Sequence, residues 1–350
     1  MKLYCGIDLG KRKVDITVMD ELGKVLKRGS LDADIQLITK WLGEFPKTLR
    51  IVFETCGTYY WLSDGLALAG YNDLTMAHTL SLKAITSAKI KTDKRDSKIL
   101  ANLHRANLIP EAYIFPKKER EFRDLTRSRL SLVRKRASQF KELKMMLTRN
   151  GYSAPSRNDI QTLDMTDLEE YLGHDRHLDI MIENTVSIMT TFTESIKKIE
   201  QELDQLLDHD ELTQRIREIP GVGLALSKTL RLEVGEISRF KNAKNFSSWC
   251  RVVPSLSQSG GSSRRGSGSK QGNAFMKNAL MQAASAAARV NTQIRSYKNF
   301  HVDRRRGSSG KLVSTNIIAH KIAVAIYHIF KGKSFEINRL FNVEALHASV

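Results

Sequence analysis

The chain has 350 residues, 41% of them hydrophobic, and a formal net charge of +18 from 56 Lys and Arg against 38 Asp and Glu. That length suits two cores better than one, and the cation excess favours a polyanionic partner, nucleic acid above all. No apolar run approaches the ~20 residues of a membrane span; Met1–Cys5 leads straight into a strand rather than a signal peptide; and three scattered cysteines, Cys5, Cys56 and Cys250, lack metal-ligand spacing and suit a reducing cytoplasm.

Leu3 to Ile7 is an apolar run that predicts a buried strand, ending at Asp8. Lys13 to Met19 alternates and is β-branched, which predicts a second strand. Asp20 to Lys24 is a turn, and Val25 to Gly29 returns as a third strand. Asp32 to Phe45 has helical spacing through Ile35, Leu37, Ile38, Trp41 and Leu42, and Pro46 stops it. Leu49 to Phe53 is a fourth strand, ending at Glu54; Tyr59 to Ala69 is a helix closed by Gly70; Asp73 to Ala77 is a weaker fifth strand. Residues 80–90 fit neither period, whereas Ile99, Leu100 and Leu103 place a helix over Asp93 to Ala106. Three meandering strands followed by alternating helices and strands is the order of an RNase H-like, or RuvC-like, α/β fold.

Lys117 to Arg149 changes character. Phe122, Leu125, Leu132, Ala137, Phe140, Leu143 and Leu147 keep a helical stripe, while Arg127, Arg134, Lys135 and Arg136 belong to a dense basic face suited to phosphate contact. Gly151 to His177 is an acid-rich connector, where a domain joint is expected. Met189, Phe192, Ile196, Ile199, Leu203 and Leu206 then step in the a/d rhythm of a coiled coil. Periodicity leaves open whether that helix pairs with Leu125 to Leu147 in cis or with another subunit.

Ile219-Pro220-Gly221-Val222-Gly223, between two amphipathic helices, has the pattern of a helix-hairpin-helix. There Gly221 and Gly223 would let backbone N–H groups approach a phosphate. Pro254 to Gly272 has the composition of a flexible loop, set between helices at Asn242 to Cys250 and Phe275 to Val290. A long loop inside a domain is commonly functional. Arg264, Arg265 and Lys270 lie in it, and from Arg251 to Lys311 twelve Lys and Arg, including Arg304, Arg305 and Arg306, face one acid, Asp303. Leu312 to Phe330 is a final apolar helix. The expected divisions are 1–112, 113–210, 211–335 and a tail at 336–350.

Asp8 and Glu54 each end a predicted strand, and Asp93 and Asp96 are three apart on one predicted helix face. Four such carboxylates are candidates for a cage around a hard divalent cation, the usual requirement of phosphoryl transfer. A solvated turn or cap is the alternative for each acid taken singly.

Gly6-Ile7-Asp8 with Lys11, Glu54-x-x-Gly57-Thr58-Tyr59 and Lys91-Thr92-Asp93-x-x-Asp96, followed by Ile219 to Gly223, Pro254-x4-Ser259-Gly260 and Ser269 to Asn273, resemble the DEDD transposases of the insertion-sequence one-ten family, whose relatives include pilin-gene invertases. The resemblance implies a RuvC-like domain, a coiled coil and a mainly helical transposase C-terminal domain. It implies catalytic carboxylates at Asp8, Glu54, Asp93 and Asp96 that hold Mg²⁺, with Mn²⁺ as a substitute. It further implies a nucleophilic serine at Ser259 that takes a DNA 5′-phosphate, double-stranded DNA and a structured bridge RNA as partners, and a homo-oligomer in the cytoplasm. Two features depart from the pattern: Arg251 stands where the family has glycine, and Ser257, Ser262 and Ser263 rival Ser259. The competing readings are a RuvC-like nuclease or junction resolvase that uses only the acids, an actin-like ATPase suggested by Gly6 to Gly10, and a regulator without catalysis.

Overall fold

The computed structural model describes residues 1–55, 57–85, 93–156, 160–173, 175–259, 262–266, 271–304 and 309–342, with the side chains of 83–85, 93–95, 255–259, 262–266 and 309 outside the description. The chain packs as two units, Met1–Lys117 and Lys118–Val350.

The first unit is a mixed six-stranded sheet covered on both faces. Its elements are β1 (Leu3–Leu9), β2 (Lys13–Asp20), β3 (Val25–Asp32), α1 (Ile35–Leu42), β4 (Arg50–Glu54), α2 (Tyr60–Leu68), β5 (Leu74–Ala77), α3 (Thr79–Ile85), α4 (Asp93–Arg105) and β6 (Glu111–Ala112). The strand order is β3-β2-β1-β4-β5-β6. β1, β2 and β3 form the expected antiparallel meander. β4 joins β1 in parallel and β5 joins β4 in parallel, while the two-residue β6, unmarked by any sequence pattern, closes the far edge antiparallel. Side chains alternate across the sheet. Ile7 and Phe53 pack on one face with Ile38, Leu42, Leu62 and Leu66 of α1 and α2. Val52 packs on the other with Leu82 and Leu100, from α3 and α4.

The second unit begins with α5 (Lys117–Arg149), which folds back on α6 (Arg176–Leu207). Phe140, Leu143 and Leu147 meet Leu178, Ile182, Val186 and Met189 at one end. Phe122 and Leu125 meet Ile199, Leu203 and Leu207 at the other. The two helices are therefore antiparallel partners within one chain. The buried stripe of α6 differs from the expected a/d series: Leu178, Ile182, Val186 and Leu207 belong to it, while Leu206 is 37% exposed. Polar pairs fill the middle of the seam, where Arg136 donates to Thr193 Oγ1 at 3.0 Å and Arg129 to Glu200 at 2.6 Å.

The segment expected to be a domain joint instead caps this hairpin. Leu163, Leu168 and Tyr171, the last two on a 3₁₀ turn at Thr166–Tyr171, are buried against it, and Tyr171 Oη donates to Ser153 O at 2.8 Å. The chain divides earlier, beside Lys117.

The remaining helices share one core: α7 (Glu211–Arg217), α8 (Leu224–Val234), α9 (Ala243–Trp249), α10 (Ala274–Val290), α11 (Thr292–Asp303), α12 (Ser309–Phe330) and α13 (Ile337–Leu340). α12 is long and apolar enough to cross a membrane by length and composition, yet Ile318, Ala319, Ile322, Ala323 and Ile326 are fully buried in this core. Ala279, Ala283, Ala284 and Ala287 line α10, and their small side chains admit its neighbours closely. The expected tail also contributes, since Phe341 is fully buried edge-on to Tyr297. Between α9 and α10 the serine-rich stretch forms a hairpin, β7 (Ser255–Ser259) with β8 (Ser262–Gly266), where composition predicted a loop.

Candidate active site

Sheet register puts the first two acids side by side. Ile7 is the parallel partner of Phe53, so Asp8 and Glu54 stand one step further on, at the C-terminal ends of neighbouring parallel strands. Ligands of α/β sheets gather at such ends. Asp8 alternates with Ile7, and Glu54 with Phe53, so both turn away from the α1/α2 core toward the face that α4 covers. Both are half-buried.

The course of α4 brings the second pair to the same end. Thr17 is the register partner of Gly6, and its Oγ1 meets the buried Ser97 Oγ at 2.9 Å. A Cβ on Gly6 would lie 2.1 Å from Ser97 O, so only glycine admits this approach. Further along the helix, His104 packs edge-on against Tyr4 at 5.8 Å. Ser97 thus faces the middle of β1 and His104 faces its beginning. α4 runs antiparallel to β1, and its first turn, Asp93 to Asp96, lies toward the Asp8 end. That turn also carries the positive end of the helix dipole, which favours carboxylates.

The loops at this end are tied down. Thr55 N donates to Ala77 O at 2.9 Å, the Thr55 and Thr79 hydroxyls are 2.8 Å apart, and Thr79 N donates to Thr55 Oγ1 at 3.1 Å. Tyr59 stacks on Phe53 with ring centres 6.2 Å apart. The turn after Glu54 is therefore pinned from the opposite side of the sheet. Past Asp8, Gly10 N donates to Lys13 O at 3.0 Å, and Lys11, Arg12 and Lys13 are exposed in that turn.

The sequence reading missed one acid. Asp15 is the cross-strand partner of Asp8 and turns to the same face. Directly opposed like charges are destabilising unless something neutralises them. The signal was available, as Asp15 shares the parity of Thr17 in an alternating strand. Among the described residues, no three His, Cys, Asp or Glu side chains come close enough to hold a metal ion. Asp8, Glu54 and Asp96 are described and form no such group, and Asp93's side chain lies outside the described residues, so the structure brings together only the strand ends and the helix terminus that carry the four acids. Their donors are all hard carboxylate oxygens, which fit Mg²⁺ or Mn²⁺.

The basic residues divide. Lys11, Arg134, Lys135 and Arg304 are exposed. Arg127 instead makes a two-pronged ion pair with the fully buried Glu233, at 2.7 and 2.8 Å, and lies over the Phe275 ring. Arg136 is 7% exposed in the α5/α6 seam, and burial lowers its pKa. These two guanidiniums hold helices together rather than forming part of an open basic face; an exposed stripe and a buried one share the same composition until the partner helix is known. Gly221, at φ 80°, is pressed on α10, where a Cβ would lie 2.3 Å from Ala287 N. Its glycine is required by packing. Gly223 caps α8 in open space. The side chains of Arg264 and Arg265, and all of Lys270, Arg305 and Arg306, lie outside the described residues. Ser259 is the last residue of β7, opposite Ser262 in register, with Ser257 opposite Arg264 and Ser263 opposite Gln258. At Arg251 the backbone has φ 59°, the left-handed region, which glycine enters at the least cost.

Comparison with known proteins supplies the class. Residues 5–150 match the model of the DEDD transposases, and the chain is a DNA transposase. Residues 213–299 match the family described as Transposase IS116/IS110/IS902. Over 81% of this chain and 83% of its own length, a probable family 20 transposase of Pseudomonas aeruginosa is 23% identical. The transposase for insertion sequence element IS1328 of Yersinia enterocolitica is 25% identical over 80% of this chain and 82% of its own. The transposase for IS1111A of Coxiella burnetii is 22% identical over 81% and 77%. The chain belongs to the IS110 family of transposases.

Proposed function

We propose that this transposase cuts and rejoins double-stranded DNA at a composite centre, in which Asp8, Glu54, Asp93 and Asp96 orient the scissile phosphate and Ser259 attacks it. The observation that carries the reading is the antiparallel setting of α4 on β1 through Gly6, Ser97 and Thr17. It turns the first turn of α4 toward the strand ends that bear Asp8 and Glu54. The strand order, with a three-strand meander and β4 and β5 parallel to β1, supports an RNase H-like fold for this unit.

Bound at the carboxylates, Mg²⁺ or Mn²⁺ would neutralise phosphate charge and ease deprotonation of the attacking hydroxyl. Ser259 Oγ forms a bond to phosphorus, the P–O3′ bond breaks, and the serine proton ends on the departing 3′ oxygen. A 5′-phosphoserine and a 3′-hydroxyl result. Another 3′-hydroxyl reverses the step, so rejoining needs no external energy source. The exposed Lys11, Arg134, Lys135 and Arg304 supply non-specific phosphate contacts, with Gly223 at the open start of α8 in a helix-hairpin-helix role. Sequence choice falls to a structured guide RNA, and a second copy of the chain completes the centre in a cytoplasmic, DNA-associated assembly.

The test is cleavage of element-end DNA with its RNA in Mg²⁺, in EDTA, and with Asp8→Asn and Asp93→Asn. The expected result is loss in all three altered conditions. Undiminished cleavage by Asp93→Asn would remove the four-acid site.

A further inference from the structure

The serine hairpin is held at its base by a buried polar junction that the transposase reading leaves unused. Glu233 occupies the last turn of α8 and is fully buried. A carboxylate there opposes the helix dipole and requires strong partners. It has three contacts. Arg127 Nε and Nη2 donate to its two oxygens at 2.7 and 2.8 Å, and Asn273 Nδ2 donates to Oε2 at 2.6 Å. Asn273 is where the hairpin segment re-enters the helical core. Its Oδ1 caps α10 by accepting from Phe275 N and Met276 N at 2.9 and 3.0 Å, and its own N–H donates to Trp249 O at 2.7 Å. The preceding Gly272 has φ 104°, and a Cβ there would lie 2.3 Å from the same Trp249 O. At the other end of the segment, Asn316 Nδ2 donates to Val252 O at 3.0 Å.

We propose that Glu233, Asn273 and Arg127 are positioning residues for the serine hairpin, setting the stance of β7 and β8 on the long helix α5. The inference rests on the reading of Ser259 as nucleophile for its catalytic consequence, though the clamp itself does not. The contacts on Glu233 join three elements. Arg127 comes from α5, Glu233 from α8 and Asn273 from the start of α10, with Arg127 further seated on the Phe275 ring at 4.4 Å. A shift of α5 relative to α8 therefore moves the hairpin's base.

Asn273→Ser separates the clamp from the helix cap. Serine caps helices as well as asparagine does but is too short to reach Glu233. The experiment measures three quantities on the full chain: single-turnover formation of the covalent serine–DNA adduct as a function of DNA concentration, the unfolding midpoint, and amide exchange over residues 251–272. Ser259→Ala is run alongside. The expected result for Asn273→Ser is a rate at saturating DNA lowered about 10²-fold, the usual consequence of a misplaced reacting group. The half-saturating DNA concentration stays unchanged, the unfolding midpoint falls by a few degrees as the buried carboxylate loses one of its three contacts, and exchange quickens within 251–272 beyond its change in the rest of the chain. A wild-type rate with wild-type exchange overturns the proposal. So does a fall in rate matched by an equal fall in DNA affinity, with exchange quickening evenly over the whole chain, which marks a merely structural contact. If Ser259→Ala still forms the adduct, the serine reading fails, and the exchange arm alone decides the clamp.

Discussion

The two candidate halves of the centre are held in different ways. The acids belong to a sheet: Asp8 and Glu54 are fixed by register with buried neighbours, and α4 is set against them by a glycine contact and a buried hydroxyl pair. The serine hairpin leaves the helical core between α9 and α10, and anchors stand on either side of it, at Val252 and Asn273. Backbone inside a sheet is over-determined by packing, whereas a two-stranded hairpin is marginal by itself. The difference suits a centre whose cation and phosphate must be pre-organised while its nucleophile is delivered. It makes the acid end stability-coupled and the serine end anchor-coupled.

The largest effect is expected at the anchor. Glu233→Ala leaves the Arg127 guanidinium without its carboxylate, and loss of one partner from such a pair costs about 4 kcal/mol; denaturant unfolding should show it, and a loss under about 1 kcal/mol would mean the junction is not a true clamp. Next comes the acid end. Gly6→Ala forces a methyl group against Ser97 O and should cost about 3 kcal/mol by overpacking, with DNA cleavage lost even where the chain stays folded. If Gly6→Ala cleaves normally, the close setting of α4 does not position the acids.

A smaller effect is pH-dependent and confined to the sheet unit. Burial, then the nearby Arg50, lowers the His104 pKa from 6.5 to about 4. The folded state therefore keeps this ring neutral while the unfolded chain protonates below 6.5. Stability is full above pH 6.5 and falls as pH drops toward 4, with a slope approaching about 1.4 kcal/mol per unit. His104→Phe should flatten that slope in thermal unfolding, and an unchanged slope would assign it elsewhere. The smallest effect is at Arg251, whose φ is 59°. Arg251→Gly relieves the left-handed strain but raises chain entropy, for a net gain of about 0.5 kcal/mol.

Legibility in the sequence followed the same division. The strands carrying Asp8 and Glu54 were readable because a buried strand must be apolar up to the residue where it meets the site. The start of α4 was readable from its 3-4 spacing. Partnership was not readable. Arg127 and Arg136 look like surface cations in a helical pattern, and only the fold-back of α6 and the position of α8 reveal their buried partners. Asp15 is hard to recognise because an acid in an alternating strand reads as solvent-facing. The serine hairpin has the composition of a loop because Ser and Gly lack strand propensity, and its ladder depends on pairing. Gly221 was legible as a special position, yet its reason, contact with α10, belongs to tertiary packing.

The central proposal is a serine that attacks DNA while the acids of the sheet hold its phosphate. The direct measurement is mass spectrometry of the protein after reaction with element-end DNA and its RNA in Mg²⁺, followed by nuclease digestion. The expected product is a nucleotide 5′-phosphate on Ser259, absent from Ser259→Ala and from Asp8→Asn. Strand cleavage that persists in Ser259→Ala without any protein–DNA bond would contradict it, and would leave the acids as a complete nuclease site on their own.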